Sequence, residues 1–175
     1  MTIKTIFLDR DGVINIEKKY LYKIEEFKFI NGVFEACKNF IDLGYEIIIV
    51  SNQSGIGRGF YSEKDFNILN KWMKNQFKDN KIKILDIYYC PHSPNEKCKC
   101  RKPKPGMFIA AKNKHNINMK DSWIIGDSER DITAASLAGI TNTILVRSGH
   151  KIDEENSQAR YFLNSIKDTM DLVIN

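Results

Sequence analysis

Short apolar runs alternate along the chain with stretches in which apolar residues recur at helical spacing. Residues 3–8 (IKTIFL) and 45–50 (YEIIIV) are rich in β-branched residues, which predicts two buried strands. Between them, apolar residues recur at helical spacing over 33–43, and Gly44 follows as a natural helix terminator. This part of the sequence therefore predicts a strand, a helix and a second strand.

The same alternation continues downstream. Ser62 is a suitable N-cap for a helix that reaches Phe77, and residues 84–90 (ILDIYYC) predict a third strand. Further elements are predicted in the order helix, strand, helix, strand over 105–115, 122–126, 129–138 and 143–146, with a last pair within 160–175. Strands that alternate with helices indicate βαβ units, so we expect an α/β fold with a doubly wound, mostly parallel sheet and helices on both faces.

Length and composition favour a single domain over residues 1–175. The 175 residues, 42% of them hydrophobic, suffice for one sizeable core, and no repeat or flexible linker marks a large cap domain. The longest aliphatic run, residues 47–50, is far shorter than the roughly 20 residues that span a bilayer. The charged N-terminal residues do not fit a signal peptide. We therefore expect a cytoplasmic protein that is monomeric and has no membrane partner.

The net charge of +5 comes mostly from lysines that are spread along the sequence. A basic chain attracts polyanions without specifying one, so nucleic acid and a small anionic substrate are both candidate partners. The dispersed lysines form no polybasic arm, which favours the small-molecule substrate and no nucleic-acid partner.

Three of the four cysteines and one histidine fall within eleven residues, namely Cys90, His92, Cys98 and Cys100. In a reducing compartment such a cluster favours a metal site over disulfides. Three thiolates and one imidazole fill a tetrahedral Zn²⁺ shell and leave no open position, as in structural sites. We predict a zinc loop at about 90–100 that positions Arg101 and Lys102; reduced cysteines beside an unrelated histidine are the alternative. His115 and His150 lack such neighbours and are predicted to be surface residues.

Polar residues stand where several predicted strands end. They are Asp9 and Asp11 after the first strand, Ser51 and Asn52 after the second, Lys102 beyond the third and Asp127 after the fourth. In a doubly wound sheet the carboxyl ends of the strands meet at one crevice, where ligands bind. We therefore expect these side chains to lie together.

Asp9 and Asp11 are two residues apart in extended chain and so point to the same side. One carboxylate can attack phosphorus while its neighbour protonates the leaving oxygen. Asp127 adds an acidic oxygen, which makes a site for the hard cation Mg²⁺, and Asp131 is expected to support it. Taken singly, the first pair is more typical of a turn, and Asp127 is equally typical of a helix N-cap.

Ser51 and Asn52 offer a hydroxyl and an amide to phosphate oxygens, and Lys102 offers a fixed cation to a transferring phosphoryl group. The glycines of residues 52–60 (NQSGIGRGF) allow close approach to a ligand, although the segment lacks the ending of a P-loop. Together these features predict a phosphate site.

The joint pattern resembles the haloacid dehalogenase superfamily of Mg²⁺-dependent phosphohydrolases. The matching segments are DRDG (9–12), SNQ (51–53), Lys102 and GDSERD (126–131), in order over nearly the whole chain. The resemblance implies a Rossmann-like fold and an aspartyl-phosphate intermediate.

The resemblance also implies a role for each matched residue. Asp9 is expected to be the nucleophile and Asp11 the general acid and base. Ser51 and Lys102 are expected to bind the phosphoryl group. The expected Mg²⁺ ligands are Asp9, Asp127 and the main-chain carbonyl of Asp11.

Within the superfamily, the Cys/His loop resembles a branch that contains heptose 1,7-bisphosphate phosphatases and histidinol-phosphate phosphatases. Residues 52–66 (NQSGIGRGFYSEKDF), 100–107 (CRKPKPGM) and 146–149 (VRSG) resemble the heptose enzymes. This implies release of the 7-phosphate of a heptose bisphosphate, in the synthesis of nucleotide-activated heptose for lipopolysaccharide or capsule. A histidinol-phosphate or broader sugar-phosphate phosphatase is the alternative. The implied substrate contacts are Asn52, Gln53, Arg58 and Arg101.

Two positions depart from the family pattern. Many members carry lysine directly after the fourth-motif aspartate, where this chain has Ser128, so one cation near the phosphate is missing. Many heptose phosphatases have Gly-Tyr where this chain has Lys19 and Tyr20.

A different class of protein, a zinc-ribbon-like nucleic-acid-binding module, is the other alternative. In such a module the Cys/His loop would carry the function, and the polar residues at the strand ends would be left unexplained.

Overall fold

The computed structural model describes residues 2–172, whose strands form one parallel sheet. The strands are β1 (Thr5–Leu8), β2 (Glu46–Asn52), β3 (Ile84–Cys90), β4 (Trp123–Gly126), β5 (Asn142–Val146) and β6 (Tyr161–Leu163). Their order across the sheet is β3-β2-β1-β4-β5-β6, and each neighbouring pair runs parallel. The predicted parallel sheet is confirmed.

The helices follow the predicted alternation with one addition. They are α1 (Val33–Asp42), α2 (Ser54–Gly57), α3 (Glu63–Asp79), α4 (Gly106–His115) and α5 (Glu129–Leu137), with 3₁₀ turns at Ile24–Glu26 and Ile166–Asp171. The short α2, directly after β2, was not predicted. The predicted last pair corresponds to β6 and the second 3₁₀ turn, and residues 173–175 lie outside the described part of the chain.

Each face of the sheet carries its own apolar layer. Ile47 and Ile49 belong to a layer with α1 and α3, whereas Ile48 and Val50 belong to one with α4 and α5. This follows because successive side chains of a strand point to opposite faces. A sheet buried on both sides needs continuous apolar strands, which explains the short apolar runs in the sequence. The helices on both faces confirm the doubly wound arrangement.

Strand order opens a crevice beside β1. From β1 the chain builds β2 and β3 to one side, and it then crosses to β4, β5 and β6 on the other. Where the winding reverses, between β1 and its neighbours, the loops at the carboxyl ends diverge and leave room for a ligand.

In residues 2–172, no helix is both long and apolar enough to cross a membrane.

Candidate active site

A cavity of about 330 Å³ lies at the carboxyl edge of the sheet. Most of the predicted site residues line it: Asp9, Asp11, Asn52, Gln53, Arg58, Arg101, Lys102 and Asp127. Ser51 is buried next to this wall, where its hydroxyl accepts a hydrogen bond from Gln53 Nε2 at 2.7 Å. The structure thus brings together the residues that the sequence assigned to different strand ends.

Lys102 is a buried cation held between two carboxylates. Its Nζ lies 3.0 Å from Asp9 Oδ1 and 2.6 Å from Asp131 Oδ1, and it donates to the carbonyl of Val50 at 2.9 Å. Burial lowers the pKa of Lys102, but the charges of Asp131 and Asp9 outweigh burial and raise that pKa above its ordinary value. Since only 2% of Lys102 is exposed, its charge is directed at these carboxylates and not at water.

Asn52 fixes the main chain of Lys102. Its Oδ1 accepts a hydrogen bond from Lys102 N at 3.0 Å, and its Nδ2 donates to Lys102 O at 3.1 Å. This pair ties the end of β2 to the loop after β3. Asn52 was predicted to contact substrate; it lines the cavity, and its amide is engaged with the main chain of Lys102.

Three carboxylates meet beside Lys102. Asp9, Asp127 and Asp131 each offer an oxygen, and the three oxygens lie within 4.8 Å of one another. Burial raises the pKa of Asp9 well above its ordinary value, with Lys102 acting against this and the neighbouring acids adding to it. Burial and the charge of Asp131 likewise raise the pKa of Asp127. Metal-free, these acids therefore disfavour one another's ionised forms.

The carboxylate group fits a divalent cation. Asp127 Oδ1 is buried and has no hydrogen-bond partner among residues 2–172. A hard cation such as Mg²⁺ prefers oxygen ligands, and it would offset the repulsion between these acids. Asp9 and Asp127 were predicted as ligands and lie in this group, which also includes Asp131.

The Asp11 carboxylate is fixed by neighbouring donors and stands apart from that group. Arg10, which is buried, donates to both oxygens at 3.0–3.2 Å. Asn15 Nδ2 donates to Oδ1 at 3.0 Å, and Gln53 Nε2 donates to Oδ2 at 3.1 Å. The two aspartates predicted as a pair therefore have different surroundings, one beside a cation and other acids, the other within a set of hydrogen-bond donors.

Tyr61, which sequence reasoning missed, orients Gln53. The Tyr61 hydroxyl donates to Gln53 Oε1 at 2.5 Å, so the amide nitrogen of Gln53 must face Asp11 and Ser51. Burial raises the pKa of Tyr61 to about 12, which keeps the hydroxyl a donor at neutral pH. Its ring stacks on Tyr22 with centroids 5.1 Å apart. In the sequence, Tyr61 stands directly before the Ser62 N-cap and gave no sign of this contact.

His150 lies at the surface, as predicted, but it also belongs to the site. Although 48% of its side chain is exposed, His150 lines the cavity, and its Nδ1 lies 2.6 Å from Asp127 Oδ2. Its main-chain N–H donates to the same oxygen at 2.9 Å. The signal that could have found it is its place just after β5, another strand end at the same edge. His115, in contrast, contacts Asp86 on β3.

The predicted zinc ligands converge at the end of β3. Ligand atoms of Cys90, His92, Cys98 and Cys100 lie within 4.8 Å of one another. Cys90 Sγ lies 3.8 Å from Cys98 Sγ and 3.4 Å from His92 Nδ1, and Cys100 Sγ lies 3.3 Å from that nitrogen. A tetrahedron with Zn–S bonds of ~2.3 Å has sulfur atoms ~3.8 Å apart, so this cluster could hold zinc.

Comparison with known proteins supports the interpretation of this cavity as a phosphatase site. Residues 99–169 match a family model described as HAD-hydrolase-like. The chain is 46% identical to the D-glycero-alpha-D-manno-heptose-1,7-bisphosphate 7-phosphatase of Photorhabdus laumondii, with 90% of each chain covered. It is 45% identical to the D-glycero-beta-D-manno-heptose-1,7-bisphosphate 7-phosphatase of Vibrio cholerae, with 96% of this chain and 95% of the relative covered.

A solved structure has the same architecture. The D,D-heptose 1,7-bisphosphate phosphatase from B. bronchiseptica, crystallised with magnesium and phosphate, superimposes with a TM-score of 0.85 at 26% identity and 98% coverage of both chains. The resemblance seen in the motifs is therefore confirmed over nearly the whole length. The chain belongs to the D-glycero-D-manno-heptose-1,7-bisphosphate 7-phosphatase family, within the haloacid dehalogenase-like hydrolases.

Proposed function

We propose that this protein is a Mg²⁺-dependent phosphatase that hydrolyses the 7-phosphate of D-glycero-D-manno-heptose 1,7-bisphosphate, in the synthesis of nucleotide-activated heptose. The observation that carries the chemistry is the position of Asp9, which lies beside a fixed cation and within a carboxylate group suited to a divalent metal. The names of the related proteins supply the sugar.

Asp9 is the proposed nucleophile. Within residues 2–172, its carboxylate is held through Oδ1, which accepts from the main-chain N–H of Arg10 at 2.8 Å and contacts Lys102. Oδ2 is thus the freer oxygen for attack on phosphorus. The new bond joins Oδ2 to phosphorus, and the bond between phosphorus and the sugar oxygen breaks, which leaves an aspartyl phosphate.

Asp11 is the proposed general acid and base. It would give a proton to the leaving sugar oxygen and later take one from the water that attacks the aspartyl phosphate. Lys102 would stabilise the charge that develops on the phosphoryl oxygens. Mg²⁺, when bound by Asp9, Asp127 and the main-chain carbonyl of Asp11, would offset the repulsion between phosphate and carboxylates.

The remaining predicted contacts keep their proposed roles. Ser51 accepts a hydrogen bond from Gln53, so its own hydroxyl proton is available to a phosphate oxygen. Arg58, Arg101 and Gln53 line the cavity wall, where a sugar phosphate would contact them. Because the proposed residues all come from one chain, the enzyme can act as a monomer.

The Cys/His cluster is the proposed structural zinc site. Four protein ligands close the shell and leave no position for substrate, so zinc would hold the loop in place and not take part in the reaction. The cluster ends directly before Arg101 and Lys102, so a fixed loop would also fix these two side chains.

The proposed site of action is the cytoplasm. The four cysteines form no disulfide, which suits a reducing compartment.

The test is phosphate release from purified protein with Mg²⁺. The α and β anomers of heptose 1,7-bisphosphate are compared with histidinol phosphate, and the Asp9→Asn variant serves as the inactive control. Faster release from either heptose bisphosphate supports the proposal. Turnover of histidinol phosphate alone would replace the substrate with the alternative, although the relatives described above favour the sugar.

A further inference from the structure

Three arginines surround the outer part of the cavity without acidic partners. Arg58, Arg101 and Arg130 all line it, and within residues 2–172 none of them forms a salt bridge. Arg101 Nη1 is buried and also lacks a hydrogen-bond partner there. Positive charges that have no acidic partner beside a cavity favour an anion there.

Ser128 holds Arg130 in position. Its hydroxyl accepts a hydrogen bond from Arg130 Nε at 3.3 Å, and it is itself fixed because its main-chain N–H donates to Asp131 Oδ2 at 3.1 Å. Since this contact uses Nε, the two terminal nitrogens of Arg130 remain for a ligand. A lysine at 128 could not accept this bond. The serine that removes one cation from the site therefore helps to position another.

The location of Arg130 decides which phosphate it can reach. The phosphate that is cleaved must contact Asp9, where the buried Lys102 already supplies positive charge. Arg130 is exposed, in the first turn of α5. It is therefore placed for an anionic group that lies farther from Asp9 along the substrate.

We propose that Arg130, positioned by Ser128, is an additional contact for the phosphate that is not cleaved, which it binds beside Arg101. This inference rests on the proposed function, because it needs a substrate with two phosphates. A planar guanidinium can form two parallel hydrogen bonds to one phosphate, and such contacts are strong and directional.

The test compares two substrates in Arg130→Ala. The measured quantity is kcat/KM for heptose 1,7-bisphosphate divided by kcat/KM for heptose 7-phosphate. Loss of a charge-assisted contact should lower this ratio by about 10- to 100-fold, chiefly through KM for the bisphosphate. Arg160→Ala is the control, because Arg160 is exposed and donates to Asn142 outside the cavity. That variant should keep the wild-type ratio.

Further variants separate binding from a structural role. Arg130→Lys keeps the charge but loses the planar fork, so its ratio should fall between wild type and alanine. Ser128→Ala should lower the ratio about two- to threefold, because only the orientation of Arg130 is lost. An unchanged ratio in both Arg130 variants, with active wild-type enzyme, would overturn the inference and leave the proposed function intact. Wild-type enzyme inactive on heptose bisphosphate would overturn both.

Discussion

Two clusters of metal-ligand atoms lie in one molecule, and they differ in what surrounds them. The carboxylates of Asp9, Asp127 and Asp131 meet where β1 and β4 end and α5 begins; a lysine contacts two of them, and one buried oxygen has no partner within residues 2–172. The Cys/His cluster is formed by the last residue of β3 and the loop that follows, and it supplies four ligands of its own. An incomplete protein shell leaves room for water and substrate, whereas a complete one excludes them. The difference predicts reaction chemistry at the first cluster and structural support at the second.

The largest effect is expected for the proposed nucleophile. Asp9→Asn should lower kcat by a factor on the order of 10³ or more, because the amide cannot form the aspartyl phosphate. The variant should keep its melting temperature within a few degrees, which circular dichroism can measure. Activity near the wild-type level would show that the carboxylate cluster is not the reaction centre.

Loss of space beside the carboxylates should have the next largest effect. Gly12 has a φ of +84°, and a Cβ there would lie 2.2 Å from Asp127 Oδ2. Gly12→Ala should therefore displace Asp127 and lower kcat/KM with Mg²⁺ by at least tenfold, with a loss of stability as well. Gly59→Ala is the control, because Gly59 also has a positive φ, yet no atom of residues 2–172 beyond its chain neighbours lies within 4 Å of a Cβ placed there. Equal losses of activity in both variants would contradict a specific effect on Asp127.

Removal of zinc should act on stability first. Cys98→Ser, or treatment with a strong chelator, should lower the melting temperature by on the order of 10 °C, because metal binding at a closed site is coupled to folding. Cys37→Ser is the matched control, since Cys37 is a free cysteine of the core outside the cluster. Unchanged melting after confirmed loss of zinc would exclude the structural role.

Magnesium should stabilise the protein more as pH rises. In the folded, metal-free protein the pKa values of Asp9 and Asp127 lie above the ordinary value of 3.8. The two carboxyl groups therefore contribute to the stability of the folded state at low pH, and this contribution is lost as the pH rises through their folded-state pKa values. Ionised carboxylates then bind the cation. The increase in melting temperature on adding Mg²⁺ should be larger at pH ~8 than at pH ~5. Asp127→Asn should largely remove the increase; an increase independent of pH would contradict the account.

A smaller effect is expected when the hydrogen bonds that lead from Tyr61 through Gln53 to Asp11 are broken. In Tyr61→Phe, Gln53 is no longer oriented by a hydroxyl, so its amide can turn away from Asp11. We expect kcat to fall about three- to tenfold, with a changed pH profile and little change in melting temperature. Tyr22→Phe keeps the ring that stacks on Tyr61 and should behave as wild type. Equal behaviour of the two variants would show that the hydroxyl of Tyr61 is dispensable.

Local signals in the sequence were enough to predict the strand ends. Buried parallel strands need apolar runs, and polar residues such as Asp9 and Asp127 stood out directly after them. The contact of Tyr61 with Gln53 was beyond such reasoning, because it depends on loops that meet only in the folded chain, whereas the place of His150 after β5 was a signal that could have suggested its contact with Asp127. Arg130 was also beyond such reasoning, because its importance depends on the neighbours that line the cavity with it. The four-residue α2 was missed because its sequence, SGIG, has too few residues to show a helical period.

The most direct test of the central claim is to trap the phosphorylated enzyme. Wild-type protein is mixed with heptose 1,7-bisphosphate and Mg²⁺, quenched with acid within milliseconds and digested for mass spectrometry. The account predicts one phosphoryl group on the peptide that contains Asp9, and none on that peptide in Asp9→Asn. Phosphorylation of another residue, or turnover by Asp9→Asn at the wild-type rate, would contradict it.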